Sequence, residues 1–467
     1  MVFANLFFLY LFLPLNIILY FSTKNRAFRN AVLIFFSLFF YAWGEPVWVT
    51  LLIFSATIDY FHGLIIEKHF GKLGAKLALA SSLILNLGLL AVFKYSGFFV
   101  ENINAILGLA LPVPSFSLPI GISFYTFQTL SYTIDCYRGE VEPQHNYMKF
   151  FMYVSLYSQL VAGPIVRYID VAKEVNHRVE NLNDIYSGTA RFLVGLTKKV
   201  FIANTAGGFA DTYLLNADFA TAPVTSVWFG IIMYGIQIYY DFSGYSDMAI
   251  GLGNIFGFHF LENFNYPYIF RSATEFWRRW HMSLGQFFRD YVYIPLGGNR
   301  RHQYLNIFIV WFLTGFWHGA SWNFILWGLW FGVLVVLEKI FLLKVLKKVP
   351  VLSNIYLLLV VLIGWVLFYY EDLGTAFHAL GVMFGISGNA FYDISLGIEI
   401  ENNIFWLILA IAFCCPIVPA VRSLVQKSER LQSLSRVLQI PANAAMLIMN
   451  TALLVGSTYN PFLYYKF

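Results

Sequence analysis

Thr314-Gly315-Phe316-Trp317-His318-Gly319-Ala320-Ser321-Trp322-Asn323 lies in the middle of Leu305 to Leu337, a stretch otherwise almost unbroken in hydrocarbon and aromatic side chains. A helix needs about 20 apolar residues to cross a bilayer, so a run of this length is what a lipid solvent selects. The imidazole of His318 does not suit that solvent. Moving a polar, titratable ring out of water costs several kcal/mol unless partners receive it, which makes an intramembrane histidine a functional candidate by default. A second histidine, His281, stands a short way upstream in Phe276-Trp277-Arg278-Arg279-Trp280-His281-Met282-Ser283.

The rest of the chain agrees with a membrane setting. Only 12% of the 467 residues are charged, against roughly 25% in soluble domains. Aromatic residues make up 19%, an excess that suits the two bilayer interfaces. The apolar runs continue from end to end, so residues 1–467 are expected to form a single integral membrane domain. The net charge is +5, and the basic residues gather between apolar runs. That is the pattern of cytosolic loops, and no nucleic-acid partner is expected. Cys136, Cys414 and Cys415 show no CxxC spacing and are expected to pack as inert thiols. Met1 to Phe21 carries no basic n-region and no small-residue cleavage site, and reads as an uncleaved first span with its amino end outside.

The pattern predicts an all-α, polytopic protein with about ten to twelve transmembrane helices. Candidate spans are 4–22, 30–44, 47–66, 77–96, 185–206, 224–240, 305–318, 321–343, 352–370, 402–421 and 438–456. Regions 97–170 and 243–304 mix apolar runs with Pro, Gly, Arg and Asp. Irregular backbone at membrane depth survives only where protein or water covers it, so both regions are expected to be broken or re-entrant helices lining a cavity. Lys24 to Arg29, Lys68 to Lys76, Lys339 to Lys348 and Arg422 to Arg436 are basic and therefore expected in the cytosol. The final span then leaves the aromatic tail 458–467 outside. With both ends outside, one candidate span must be re-entrant or one has been missed.

Imidazole is the usual general base for a hydroxyl near neutral pH, which is the functional reading of His318. Gly315 and Gly319 would admit close approach of backbone or substrate. Trp317, Ser321, Trp322 and Asn323 would shape a pocket or orient the ring. The bland alternative is a membrane histidine hydrogen-bonded to a neighbouring helix. Arg278, Arg279, Arg289, Arg300 and Arg301 form a cluster able to hold an anion such as a phosphorylated carrier; positive-inside topology and an Arg289–Asp290 contact would explain them equally. The polar run Tyr239–Asp247 is expected to interrupt two apolar segments; its Asp241 and Asp247 would bond the arginines or line the cavity, and Asp290 belongs to the same candidate pocket. No carboxylate or thiol lies at ligand spacing from either histidine and nothing resembles HExxH, so no metal is expected. The remaining histidines, His62 among them, read as solvated or interfacial. The aromatic tail reads as an interfacial belt or as a docking segment.

Five blocks, taken together and in this order, resemble the membrane-bound O-acyltransferase family. They are Pro119–Gln128, Gln159–Tyr168, Tyr240–Asp247, Glu275–Asn299 and Thr314–Gly328. The likeness is greatest to the branch holding the membrane subunit of alginate O-acetylation, with peptidoglycan acetylation and teichoic-acid D-alanylation as relatives. The resemblance implies that His318 is the catalytic histidine, that His281 is the second family histidine, and that about a dozen helices surround a thinned centre where a cytosolic and an outer funnel meet. Departures are small: Gly285, Phe316 and Ser158 stand where the branch commonly has Ser, Leu and Pro, and Tyr465 replaces a Phe in the tail.

The expected chemistry is acyl transfer, with acetyl the expected group. The donor is a cytosolic thioester, acetyl-CoA or else a carrier-protein thioester, and the acceptor an outward-facing hydroxyl of an extracellular or cell-wall polysaccharide. No bound cofactor is expected. Tyr464 is a candidate acyl relay to a secreted or membrane-anchored extracellular acetyltransferase. D-alanyl transfer to teichoic acid is the alternative within the family. A polysaccharide or lipid transporter, or a scaffold subunit without acyl chemistry, is the alternative outside it.

Overall fold

A computed structural model describes residues 1–161, 163–456 and 463. Among these the elements are all helices. Four are long and apolar enough to cross a membrane: Val49–Lys68, Leu73–Leu107, Pro350–Tyr369 and Glu429–Gly456. A fifth candidate is the pair Ile394–Asn402 and Ile404–Ala412, bent by 71°. The expected span 402–421 is therefore not one helix. Its chain turns through Cys414-Cys415-Pro416 before the short helix Ile417–Val425, because proline cannot donate to the preceding turn.

Several other expected spans are shorter helices, including Arg26–Ala42, Gln303–His318 and Trp322–Leu337. A 16-residue helix such as Gln303–His318 reaches only about 24 Å, less than a bilayer core of about 30 Å. Region 97–170 begins as the end of the long helix Leu73–Leu107 and, after an exposed segment, continues as Ile122–Arg138 and Tyr147–Ser155, whose side chains are largely buried. One expectation fails outright. The polar run Tyr239–Asp247 does not interrupt a helix; Val224–Ile255 is continuous through it. No proline breaks the run, and an unbroken helix satisfies its own backbone where water is absent.

The chain divides into two compact units, Met1–Phe192 with Tyr245–Glu262, and Leu193–Gly244 with Asn263–Phe467. In the first, Phe3, Phe8, Phe40 and Tyr157 pack ring against ring. A buried polar knot joins its helices: Asp59 accepts from Ser82 (2.6 Å) and Asn86 (2.7 Å), and pairs with His62 Nδ1 at 3.0 Å. His62 is thus a buried scaffold residue and not the interfacial one expected, because Asp59 one helical turn earlier supplies its partner. Asp247 pairs with Arg191 at 2.9 Å, an arginine outside the cluster expected to meet it.

The second unit is organised around buried aromatics, among them Phe276, Trp280, Trp327, Phe331 and Trp365. Helices Gln303–His318 and Trp322–Leu337 form a hairpin that packs nearly backbone on backbone. A Cβ at Gly315 would strike the Phe324 carbonyl, and one at Gly328 the Trp311 carbonyl. Small residues at such crossings let membrane helices gain close van der Waals contact.

Candidate active site

His318 is the last residue of Gln303–His318, where the backbone turns out into extended Gly319. Its side chain is buried. The ring stands edge-to-face with Trp317 (5.0 Å between centroids), Trp327 (5.0 Å) and Phe368 (5.3 Å). The two glycines beside it serve the hairpin: Gly319 leaves room for the Phe324 ring as Gly315 does for the Phe324 backbone.

His281 reaches the same place from a different element. Glu338, fully buried, accepts from the Ala273 and Thr274 N–H groups at 2.6 and 2.8 Å and from the Tyr356 hydroxyl at 3.1 Å. This fixes the start of the short helix Ala273–Trp277, since a carboxylate is favoured where helical N–H groups lack partners. The chain then enters His281 in the left-handed region, φ +44°, which costs a residue bearing a Cβ roughly 1 kcal/mol or more. Asn263 secures the turn. Its carbonyl accepts from Met282 N–H at 3.0 Å, and its side-chain Oδ1 accepts from Ser283 N–H at 3.2 Å and Ser283 Oγ at 2.9 Å.

The same Oδ1 lies 3.2 Å from His281 Nδ1. Ser283 N–H is an obligate donor, so the Asn263 atom in this cluster is the acceptor oxygen. His281 Nδ1 must then donate, which puts the neutral ring's free lone pair on Nε2. That Nε2 is buried and has no protein hydrogen-bond partner among the described residues. Phe242 lies edge-on to the His281 ring at 4.6 Å, and Trp317 lies 6.1 Å from it. Trp317 therefore touches both histidines, and one aromatic wall carries the pair.

The Trp327 ring that faces His318 has its Nε1 buried and unmatched among the described residues, as does the Trp277 ring packed on Trp327 and, in the same hairpin, Asn323 Oδ1. Buried polar groups are nearly always satisfied, so unmet ones beside an imidazole suit a site that takes up water or substrate. Asn323 is anchored by its amide, which donates to the Leu367 carbonyl at 3.2 Å.

The other expected site residues fall into two groups. Asp241 lies in a buried ion pair with Lys199 at 2.7 Å and accepts from Leu463 N–H at 2.9 Å. Leu463 itself is buried; Tyr464 lies outside the described residues. Arg278, Arg289, Arg300 and Arg301 are exposed, and Arg279 stacks on the Phe270 ring at 3.7 Å. Asp290 binds Arg289 at 2.7 Å. Trp322, expected near the ring, is 55% exposed. Among the described residues no group of three His, Cys, Asp or Glu side chains is placed to hold a metal ion.

A buried histidine pair that meets on one tryptophan, in an all-helical membrane protein, agrees with what comparison with known proteins shows. The family model for the membrane-bound O-acyltransferases matches residues 139–373, and the chain belongs to that family. Within it the chain falls in the alginate O-acetylase branch. It is 36% identical to a probable alginate O-acetylase of Azotobacter vinelandii across the whole of both chains. It is 40% identical to a probable alginate O-acetylase of Pseudomonas aeruginosa over 82% of this chain and 75% of that one. A peptidoglycan O-acetyltransferase of Helicobacter pylori is 31% identical over 98% and 96%. The protein is a multi-pass membrane acyltransferase.

Proposed function

We propose that this enzyme takes an acetyl group from a cytosolic thioester, acetyl-CoA, and delivers it for O-acetylation of a polysaccharide outside the membrane. The supporting observation is the meeting of His281 and His318 on Trp317, with His281 Nε2 buried and without a protein partner among the described residues. The named activities of the relatives point the same way, two toward alginate and one toward peptidoglycan.

In this reading His318 removes the proton from the attacking hydroxyl. The oxygen adds to the thioester carbonyl, the tetrahedral intermediate collapses, and the thiolate leaves with the proton returned to it. Ester replaces thioester, with no ATP and no redox change. His281 orients the donor. Its neutral tautomer turns a lone pair and not an N–H toward the substrate, so it suits an incoming amide N–H of the thioester arm better than an oxyanion. The arginines from Arg278 to Arg301 receive the anionic end of the donor on the cytosolic side. An extracytoplasmic acetyltransferase is the expected partner for final delivery, with Tyr464 as the acyl relay.

The test uses the full-length protein in inverted membrane vesicles supplied with labelled acetyl-CoA. Loss of a general base costs about 10²–10⁴-fold in rate. His318→Ala is expected to lose label transfer to that extent while its level in the membrane holds. Transfer at near-normal rate by the variant refutes the assignment, and labelled polysaccharide moving without any acyl transfer would make the protein a transporter.

A further inference from the structure

We propose that the first unit carries a separate binding site for a phosphate-bearing ligand, in a cleft between the start of Arg26–Ala42, the start of Tyr147–Ser155 and the segment Asn176–Val179. The cleft has a volume of about 730 Å³, within the range of small-molecule sites of roughly 300–1,000 Å³. Arg26, Lys149 and Arg178 line it, with Asn30, Asn146 and Asn176, and no carboxylate among the lining residues.

The charge balance asks for an anion. One carboxylate, Glu180, serves three guanidinium groups: it binds Arg26, Arg29 at 2.9 Å and Arg178 at 3.7 Å. Lys149 adds a fourth positive charge, bonded to the neutral Asn176 amide oxygen at 3.0 Å. Four cations about one carboxylate leave a large positive excess beside an open cleft.

These cations are also held in place. The side chain of Arg178 is fully buried. It donates to Tyr20 Oη (3.0 Å) and Asn30 Oδ1 (2.6 Å), and lies 4.8 Å over the Phe258 ring. Arg26 donates to the Arg178 carbonyl at 2.7 Å. Arg178, with no exposed side-chain surface, adds its field and not a contact; the Arg26 guanidinium, 34% exposed and already fixed, loses little freedom on meeting phosphate oxygens. The first turns of two helices, Arg26–Ala42 and Tyr147–Ser155, contribute to the lining as well, and their positive dipole ends favour an anion further.

The mouth carries exposed apolar side chains, Met148 and Val179. Phosphate with an apolar flank describes an anionic lipid headgroup; it also describes a soluble phosphate ester. Basic pockets beside the ends of membrane helices are a recurring headgroup site. The cleft contains none of the residues assigned to acyl transfer, so the inference stands apart from that reading.

The experiment measures binding to the purified full-length protein in neutral detergent. The probes are short-chain phosphatidylglycerol, short-chain phosphatidylcholine, coenzyme A and inorganic phosphate. Lys149→Gln removes one charge yet keeps a polar head within reach of Asn176; Lys149→Glu reverses the charge. Gel filtration and thermal unfolding check that each variant is folded, and Lys149→Gln carries the test if the reversal does not fold. Phosphatidylglycerol should bind more tightly than phosphatidylcholine, and Lys149→Gln should weaken it about tenfold, the effect of losing one charge-assisted contact. If coenzyme A or phosphate binds with the same dependence and displaces the lipid, the ligand comes from solution; if neither competes, it comes from the membrane. Binding of every anionic probe unchanged by both substitutions, or phosphatidylcholine bound as tightly as phosphatidylglycerol, overturns the site.

Discussion

Asn263 Oδ1 and His281 Nδ1 lie 3.2 Å apart, and because that oxygen also receives the Ser283 N–H, the contact selects a single neutral tautomer of the imidazole. Asn263→Ala frees the ring to flip and leaves the buried Ser283 N–H unmatched. Acyl transfer is expected to fall about 10- to 100-fold, as when the partner that orients a functional imidazole is removed. Because His281 is read as orienting the donor, KM for the thioester should rise along with any fall in kcat. Ser283→Ala removes one bond to Asn263 and keeps the backbone one, so its loss should be several-fold smaller. A donor KM unchanged in Asn263→Ala would separate His281 from donor binding.

The hairpin glycines are expected to be intolerant for steric reasons. Gly315→Ala and Gly328→Ala each push a methyl into a backbone carbonyl of the facing helix. Overpacking of that kind costs about 1–3 kcal/mol, which thermal unfolding in detergent would show as a lowered midpoint. Gly88, inside Leu73–Leu107, has nothing within 4 Å of a built Cβ. Gly88→Ala should therefore be neutral or stabilising by up to about 1 kcal/mol. Equal effects at the two kinds of site would contradict the packing described.

The Lys199–Asp241 pair is buried on both sides, with side-chain exposures of 6% and 3%. Lys199→Met strands a carboxylate, and breaking a buried pair from one side costs about 3–5 kcal/mol. Lys199→Met combined with Asp241→Asn should recover most of that. The check is the temperature at which half the protein leaves the monodisperse gel-filtration peak. A double variant no better than the single one would show that the pair contributes nothing through its charges.

Two loop groups set opposite pH limits on the first unit. Burial pushes the Glu180 carboxyl up, but hydrogen bonds from Arg26 and Tyr20 outweigh it and hold the group down at about 2. Its contribution is present above the ordinary carboxylate range and declines as pH falls from about 4.5 toward 2. His259 is half exposed; burial is the largest single effect and lowers its pKa, but the carboxylates of Glu174 and Asp184 together outweigh it and raise the pKa overall. Its contribution is complete below about 6.5 and is lost as pH rises through the elevated value. Unfolding curves for Glu180→Gln should lose the acid dependence, and those for His259→Gln the milder alkaline one. An acid limb that survives Glu180→Gln would place that titration elsewhere.

Much of the site can be read in the residues because its chemistry is local. His318, Trp317, Gly315 and Asn323 sit within one hairpin, so their spacing in sequence nearly gives their spacing in space. Asn263 carries no such sign. It lies 18 residues before His281 in an irregular segment, and only the folded turn brings its oxygen to the ring. Glu338 and Lys199 are hidden for a related reason: the partners that hold them, Ala273 and Tyr356 for one and Asp241 for the other, come from elements distant in sequence. The polar run at Asp241 misleads in the other direction. Composition there argues for a break, yet Lys199 and Arg191 take up its two carboxylates, Tyr240 donates to the Ala410 carbonyl, and the helix passes straight through.

The left-handed backbone at His281 sets the terms on which this position tolerates change. Glycine adopts that conformation freely, so His281→Gly relaxes the turn even as it deletes the imidazole. The strain relieved is roughly 1 kcal/mol, less than the cost of the cavity that a buried, packed ring leaves behind. The contacts that hold the imidazole in its strained turn therefore also make its loss destabilising, and selection for heat resistance alone would keep the histidine.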